Sequence, residues 1–154
     1  MHIIGIDPGQ GGGIARMVEY SGAGFVVKTW PMPQTEKDIA DLLADLVTEL
    51  LWGASDAVYL ERVHTMPGQG VASSGKFMMH YGFLRGVLVA LGIPFEEVSP
   101  LKWQRALGCL SGGDKNVTKQ KAQQLFPHLT ITHATADALL IAEYGRRLYA
   151  REEK

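Results

Sequence analysis

Short apolar runs alternate along this chain with segments whose apolar residues recur every three or four positions. Three runs, at 2–6, 14–18 and 25–30, follow one another and predict an antiparallel meander. A fourth run, at 57–60, comes after a helical segment, which implies a parallel crossover. A fifth, at 93–98, contains Pro94, which marks an edge strand.

Helical spacing predicts five helices. The first helix follows a capping box at Thr35 and Asp38 and ends before Gly53. The second covers 75–91, the third begins at Ser99, the fourth covers 117–126, and the fifth runs from Thr135 onward. The helix at 75–91 carries a second stripe that contains Gly82 and Gly86. This stripe allows another backbone to approach closely, and that backbone belongs either to the protein's own sheet or to a second copy in a homodimer.

Acidic residues stand where buried elements begin or end. Asp7 ends the first strand, Glu61 follows the strand at 57–60, and Asp137 lies near the start of the last helix. The core-facing stripe of that helix leads back through Asp137 to His133, so we expect both on the buried side. Glu143 and the arginines after it mostly fall elsewhere, on the outer face of the helix. Local capping also explains an aspartate in a turn or at a helix start, but it does not explain the histidine.

Carboxylates gathered in a partly buried pocket repel one another, and a divalent cation relieves this repulsion. Oxygen ligands suit Mg²⁺ or Mn²⁺, and a histidine four residues before an aspartate can share an ion with it. Two such ions, about 4 Å apart, can activate a water and stabilise the leaving oxygen in phosphodiester hydrolysis. The residues therefore indicate a two-metal site formed by Asp7, Glu61, His133 and Asp137.

Composition narrows the class of protein. With 154 residues, 46% of them hydrophobic, we expect one domain covering 1–154. The single cysteine, Cys109, excludes an internal disulfide, and no apolar run reaches the ~20 residues of a membrane span, so we expect a cytoplasmic protein without a membrane partner.

Net charge alone does not decide whether the protein binds nucleic acid, because the chain has nearly equal numbers of basic residues, 15, and acidic residues, 16. Basic residues do concentrate between 102 and 121, around Trp103 and a glycine-containing loop. That segment suits phosphate contacts, although a solvated helix face is the more common outcome of such a pattern. Its basic residues are Lys102, Arg105, Lys115, Lys119 and Lys121.

Five motifs, in this order, resemble RuvC-type Holliday junction resolvases of the RNase H-like superfamily, in the branch often encoded by phages. They are GIDPG at 5–9, LERV at 60–63, FLRG at 83–86, VSPLKW at 98–103 and ADALLIA at 136–142. The resemblance extends from about residue 2 to 149. Many members have an aspartate where this chain has Ala134, with His133 just before it.

The resemblance implies an α/β fold with a five-stranded mixed sheet flanked by helices. It also implies paired nicks in four-way DNA junctions with magnesium, in a bacterial or phage-infected cell, by a homodimer joined through the helix 75–91. Asp7, Glu61 and Asp137 would be metal ligands, and Lys102 and Lys115 would lie near the cleaved phosphate. A loop beginning at His64 would enter the junction, and the expected DNA contacts are Arg62, His64, Lys76, Lys102, Arg105, Lys115, Lys119 and Lys121.

Two other interpretations remain open from the sequence. The glycine-rich turn after Asp7 also resembles the phosphate loop of actin-like ATPases, although 154 residues are too few for their second lobe. Alternatively, the protein binds branched DNA without cutting it. Nicking that a chelator abolishes separates a nuclease from both.

Overall fold

The computed structural model describes residues 1–20, 24–48, 56–64, 68 and 70–152, without the side chains of 151 and 152. The strands are β1 (His2–Asp7), β2 (Gly13–Tyr20), β3 (Gly24–Pro31), β4 (Asp56–Glu61) and β5 (Phe95–Val98). The helices are α1 (Glu36–Thr48), α2 (Val71–Ala90), α3 (Pro100–Leu107), α4 (Lys115–Leu125) and α5 (His133–Glu152). Helices α2, α4 and α5 begin two to four residues before their predicted starts.

The strands form one five-stranded sheet in the order β3-β2-β1-β4-β5. The first three strands pair antiparallel, whereas β4 runs parallel to both β1 and β5. This arrangement confirms the predicted meander, the parallel crossover and the edge position of β5. The fold is the expected α/β architecture with a mixed sheet.

Helices cover both faces of the sheet. On one face, α1 and α2 enclose a core that includes Ile6, Leu43 and Leu84, and on the other, α3, α4 and α5 enclose a core that includes Ile3 and Trp103. Side chains alternate between the two faces along a strand. Odd-numbered residues of β1 therefore face α5.

Helix α5 lies unusually close to the sheet because glycines face it. A Cβ on Gly5 would lie only 2.5 Å from Ala142 N, and a Cβ on Gly13 would collide with Ala134 O. Any larger residue at Gly5 would push the helix away from β1. This close packing places the first turns of α5 beside the end of β1, and with them Asp137.

Helix α5 is also buried on a side that we expected to be solvated. Glu143 is only 4% exposed, because α4 and the sheet both pack against this helix. Its carboxylate accepts hydrogen bonds from Arg146 Nε at 2.6 Å and Arg147 Nε at 2.7 Å. Burial raises the pKa of Glu143, but the two arginines outweigh it and the net pKa is lowered. The prediction of an outer position for Glu143 was wrong.

Helix α2 presents its glycine stripe away from the sheet. Tyr81, Leu84 and Leu88 are buried, whereas Gly82 and Gly86 are exposed. Apart from the neighbouring backbone of the helix itself, no described atom lies within 4 Å of a Cβ built on either glycine. The alternative that these glycines pack on the protein's own sheet was therefore wrong. Large apolar side chains on the outer side of the helix are Val71, Met79 and Val89, exposed by 90%, 73% and 69%. Within the described ranges, no helix is both long and apolar enough to span a membrane.

Candidate active site

The sheet register brings Asp7 and Glu61 side by side. Ile6 pairs with Leu60 across the parallel strands β1 and β4, and the two acids are the next residues on each strand. Neighbouring strands lie about 4.8 Å apart. Asp7 alternates in phase with Ile3, and Glu61 with Tyr59, so both carboxylates point to the face that α5 covers.

Asp137 reaches the same place from α5. The neighbouring carbonyl, Ala138 O, lies against Gly5 of β1. The Asp137 side chain is partly buried, and its Oδ1 is a buried oxygen without a hydrogen-bond partner. The structure thus brings together the three acids that the sequence singled out, at one end of the sheet.

Burial and mutual repulsion both disfavour ionisation in this cluster. Burial, followed by the charges of Glu61 and Asp137, raises the pKa of Asp7 well above its usual range. Burial also raises the pKa of Glu61 to about 7, with a further contribution from Asp137, although a hydrogen bond from Trp103 lowers it. Burial likewise raises the pKa of Asp137, against a hydrogen bond from Thr118 that lowers it. The three acids therefore behave as one interacting group.

Lys115 is the cation that all three acids share. It is the first residue of α4, which begins where the Asp114 carboxylate caps Asn116 N at 2.9 Å. The charge of Lys115 lowers the pKa of Asp7, Glu61 and Asp137. The structure thus places Lys115 beside the acid cluster.

Trp103 holds Glu61, and the sequence reasoning assigned it no such role. Trp103 is 0% exposed, and its indole Nε1 donates a hydrogen bond of 2.8 Å to Glu61 Oε2. A buried tryptophan needs an acceptor for its N–H. A lone tryptophan in a basic helix was the available signal, but its partner lies 42 residues away along the chain.

The prediction that His133 lies on the buried side was wrong. His133 is exposed as the first residue of α5. His133 precedes Asp137 by four residues, slightly more than one helical turn of 3.6 residues, so the two side chains do not point in the same direction. Ala134 O already lies against Gly13 at the end of the sheet, so His133 lies beyond the sheet. Thr135 is buried instead, and its Oγ1 accepts a hydrogen bond from Thr132 N at 3.2 Å. His133 still lowers the pKa of Asp137, so the two are neighbours.

Lys102 lies away from the acid cluster. Its Nζ is 3.5 Å from Glu96 Oε1 and 6.0 Å from the centroid of the Tyr144 ring. Tyr144 follows Asp137 by two turns of α5, which is about 10 Å. In this conformation Lys102 is not a neighbour of the three carboxylates.

The remaining expected DNA contacts are exposed or half-buried side chains. Arg62 follows Glu61 directly, and its backbone N donates to Val98 O at 2.7 Å. The loop that begins at His64 includes 65–67 and 69, which lie outside the described residues. Four of these side chains are exposed and two are half-buried: Arg62, His64, Lys76 and Arg105, then Lys119 and Lys121.

The acid cluster fits a hard divalent cation by the chemistry of its donors. It offers carboxylate oxygens, including the unpartnered Oδ1 of Asp137, and such oxygens are the ligands that magnesium and manganese prefer. In the part of the chain that is described, no three His, Cys, Asp or Glu side chains lie close enough together to hold an ion as they stand.

Comparison with known proteins identifies the fold. No protein-family model matches the chain, and no curated protein matches it in sequence. Among solved structures, Thermus thermophilus RuvC is similar with a TM-score of 0.55 and 21% identity, over 99% of this chain and 97% of that one. T. thermophilus RuvC in complex with a Holliday junction substrate is similar with a TM-score of 0.56 and 19% identity, over 99% and 96%. The chain therefore has the RuvC-type, RNase H-like α/β fold.

Proposed function

We propose that the protein is a metal-dependent endonuclease that resolves four-way DNA junctions by paired phosphodiester hydrolysis, with water as the nucleophile. The RuvC-type fold supports this function, because one of the similar structures is a complex with a Holliday junction substrate. We further propose, from the motifs, that the chain belongs to the phage-type branch of these resolvases.

The cluster of Asp7, Glu61 and Asp137 is the observation that carries the proposal. Each acid is desolvated, and repulsion from Asp137 adds to the raised pKa of both Asp7 and Glu61. Such an arrangement costs stability, since ionising a buried carboxylate beside another one is unfavourable. Clusters of this kind characterise functional sites.

We assign a distinct role to each residue of the site. Asp7, Glu61 and Asp137 would hold magnesium or manganese, with two ions per site and His133 beside Asp137. Such ions lower the pKa of a bound water and neutralise the charge of the transferring phosphoryl group. Trp103 orients Glu61 through the hydrogen bond to Oε2, and this bond does not use Oε1. Lys115, whose charge acts on the acids, would supply a positive charge next to the phosphate.

Paired cleavage requires two sites, and a homodimer supplies them. The outer side of α2 is suited to this contact, because its exposed glycines let a second helix approach and Val71, Met79 and Val89 provide apolar area. The helix lies directly after the segment that follows Glu61, so a contact there would fix the spacing of the two sites.

The decisive experiment compares a synthetic four-way junction with a linear duplex of the same sequence, in magnesium and in EDTA. We expect symmetric nicks in the junction only, abolished by EDTA and by Asp7→Asn, while Asp7→Asn still binds the junction. Binding without nicking by the wild-type protein would support a branched-DNA-binding protein. ATP hydrolysis without DNA would support the actin-like alternative.

A further inference from the structure

A cleft of about 240 Å³ opens between α3 and α5, which pack against each other on one face of the sheet. Lys102 and Ala106 of α3 line one side, and Tyr144, Arg147 and Leu148 of α5 line the other. The lining thus combines two cations with an aromatic ring and two aliphatic side chains. All five residues are distinct from the acid cluster.

Tyr144 and Lys102 bring two hydrogen-bond donors together in the cleft. Tyr144 is buried, with 3% of the residue exposed, and Lys102 Nζ lies 6.0 Å from the centroid of its ring. Interaction with the Tyr144 hydroxyl is the largest contribution that raises the pKa of Lys102. A second contact of Lys102 is weak, since Nζ and Glu96 Oε1 are 3.5 Å apart and both side chains are more than half exposed. Lys102 can therefore turn toward an anion in the cleft at little cost.

Arg147 is held in place by a buried carboxylate. Its Nε donates to Glu143 Oε1 at 2.7 Å, and Glu143 also accepts two hydrogen bonds from Arg146. Two guanidinium groups thus share one carboxylate, so the three residues together carry one positive charge. The bond to Glu143 does not use the terminal nitrogens of Arg147, and the side chain is 37% exposed. Arg147 therefore offers its terminal N–H groups from a fixed position.

We propose that this cleft binds one phosphate group of the DNA backbone, separate from the phosphate that the acid cluster hydrolyses. Arg147, Lys102 and the Tyr144 hydroxyl would donate to its oxygens, and Ala106 and Leu148 would contact the adjoining deoxyribose. The inference rests on the proposed function, and it assigns the protein a second point at which it holds the strand that it cuts.

The lining of the cleft suits a phosphate that is joined to a sugar. A guanidinium fork binds two oxygens of one phosphate at once, and an ammonium group adds a point charge. Ala106 and Leu148 suit the carbon atoms of a deoxyribose, which a free inorganic anion lacks. The volume of the cleft lies below the ~300 Å³ at which pockets for whole ligands begin, so it suits one sugar–phosphate unit rather than a free nucleotide.

The cleft lies at a fixed distance from the acid cluster. Tyr144 and Arg147 follow Asp137 in the same helix, by about 10 and 15 Å at ~1.5 Å per residue. On the α3 side, Trp103 links the helix to Glu61. These distances are shorter than one turn of duplex DNA, which is ~34 Å, so one junction arm can reach both places. Because α5 is one continuous helix packed on the sheet, the spacing of the two bound phosphates would be constant.

The test locates the bound phosphate by removing its charge. Each phosphate of the cut strand within one duplex turn of the cleavage site is replaced in turn by a neutral methylphosphonate. The Kd of each junction is measured in EDTA, where no cleavage occurs. At a position apart from the cleaved phosphate we expect the Kd of the wild type to rise about tenfold, as for one charge-assisted contact. The same replacement should change the Kd of Arg147→Gln and of Lys102→Gln less than twofold.

A matched control separates a bound phosphate from a general effect of charge. Lys28→Gln removes the same charge at an exposed residue of β3 outside the cleft, and it should keep the tenfold effect. The two cleft variants should also lower the slope of log Kd against log salt concentration by about 0.9, the value for one phosphate contact. Lys102 is exposed, so Lys102→Gln keeps the test decisive even where Arg147→Gln is unstable.

Inorganic phosphate tests whether a free anion is the ligand instead. At about 10 mM it should not raise the melting temperature of the wild type, because a free ion lacks the high effective concentration of a phosphate tethered on a bound strand. A rise in the wild type but not in Arg147→Gln, without a sensitive position in the strand, would show a site for a small anion and overturn the DNA assignment.

Two other results bear on the cleft and on the proposed function separately. If both cleft variants keep the full effect at every position, or lose it at different phosphates, the cleft is not a single phosphate site and the inference is wrong. A wild type that binds junctions but does not cut them in magnesium would contradict the proposed function, whereas the methylphosphonate measurement would still decide the cleft.

Discussion

Replacing Glu61 by glutamine should stabilise the protein while it removes cleavage. Glu61 is desolvated and lies beside Asp137, and these effects raise its pKa from 4.5 to about 7. Glutamine keeps the size of the side chain, and its carbonyl oxygen can still accept the hydrogen bond from Trp103 Nε1. The substitution therefore removes a charge and few contacts.

The size of the effect follows from the pKa. A rise from 4.5 to about 7 corresponds to about 3 kcal/mol at ~1.4 kcal/mol per pKa unit. The folded protein holds the proton of Glu61 more tightly than the unfolded chain does, so this free energy favours folding below pH 4.5 and is lost as the pH rises through about 7. Glu61→Gln should then exceed the wild type in free energy of unfolding by about 3 kcal/mol at pH 8 and about 1 kcal/mol at pH 5.

Urea unfolding in EDTA at both pH values measures this difference, and a thermal melt at pH 8 should show a rise of roughly 6–12 °C. Glu36→Gln is the matched control, because Glu36 is exposed at the start of α1, and its change should stay below about 1 kcal/mol at either pH. Equal stability of wild type and Glu61→Gln at pH 8 would refute the interpretation of the three acids as a repelling cluster. Magnesium should also stabilise the wild type more than the variant, because a ligand stabilises only the state that binds it.

Three further predictions concern the surroundings of the acids. Lys115→Ala should slow single-turnover cleavage by at least about tenfold, whereas Lys102→Ala should slow it less. The reason is that the charge of Lys115, unlike that of Lys102, acts on all three carboxylates. Equal losses in the two variants would contradict this ranking. His133→Ala should lower metal-dependent cleavage, and its free energy of unfolding should change by no more than about 0.5 kcal/mol, as expected for an exposed residue. His133→Asp should recover part of the magnesium-dependent rate. A large loss of stability in His133→Ala would show that the residue is structural. Gly86→Leu should convert a dimer to a monomer in light scattering without lowering the melting temperature, since no described atom lies within 4 Å of a Cβ there; a dimer that persists would place the interface elsewhere.

Much of the fold was readable in the sequence, because strand and helix periods are local. The meander, the crossover before β4 and the edge position of β5 follow from apolar runs, turn residues and one proline. The three acids were also identifiable, since Asp7 and Glu61 each end a buried strand and Asp137 lies near the start of a helix. Parallel strands end at the same side of a sheet, so two of these acids had to be neighbours.

Helix faces were harder to assign, because a helix packed on several sides has no simple inner and outer half. Glu143 was assigned to solvent, yet α4 and the sheet enclose it with its two arginines. His133 shares a helical stripe with Asp137, but the sheet ends at Gly13, before His133 could be covered.

The sequence by itself determined the strands, the helices and the acids that end them, because these depend on neighbours within a few residues. Only the tertiary structure decided which distant groups meet: Trp103 with Glu61, Phe77 with Gly9, and Lys115 with the acids. It also turned the glycine stripe of α2 outward and Lys102 toward Glu96. Such contacts depend on how closely each helix approaches the sheet and on the direction of long side chains, and neither is encoded in a local pattern.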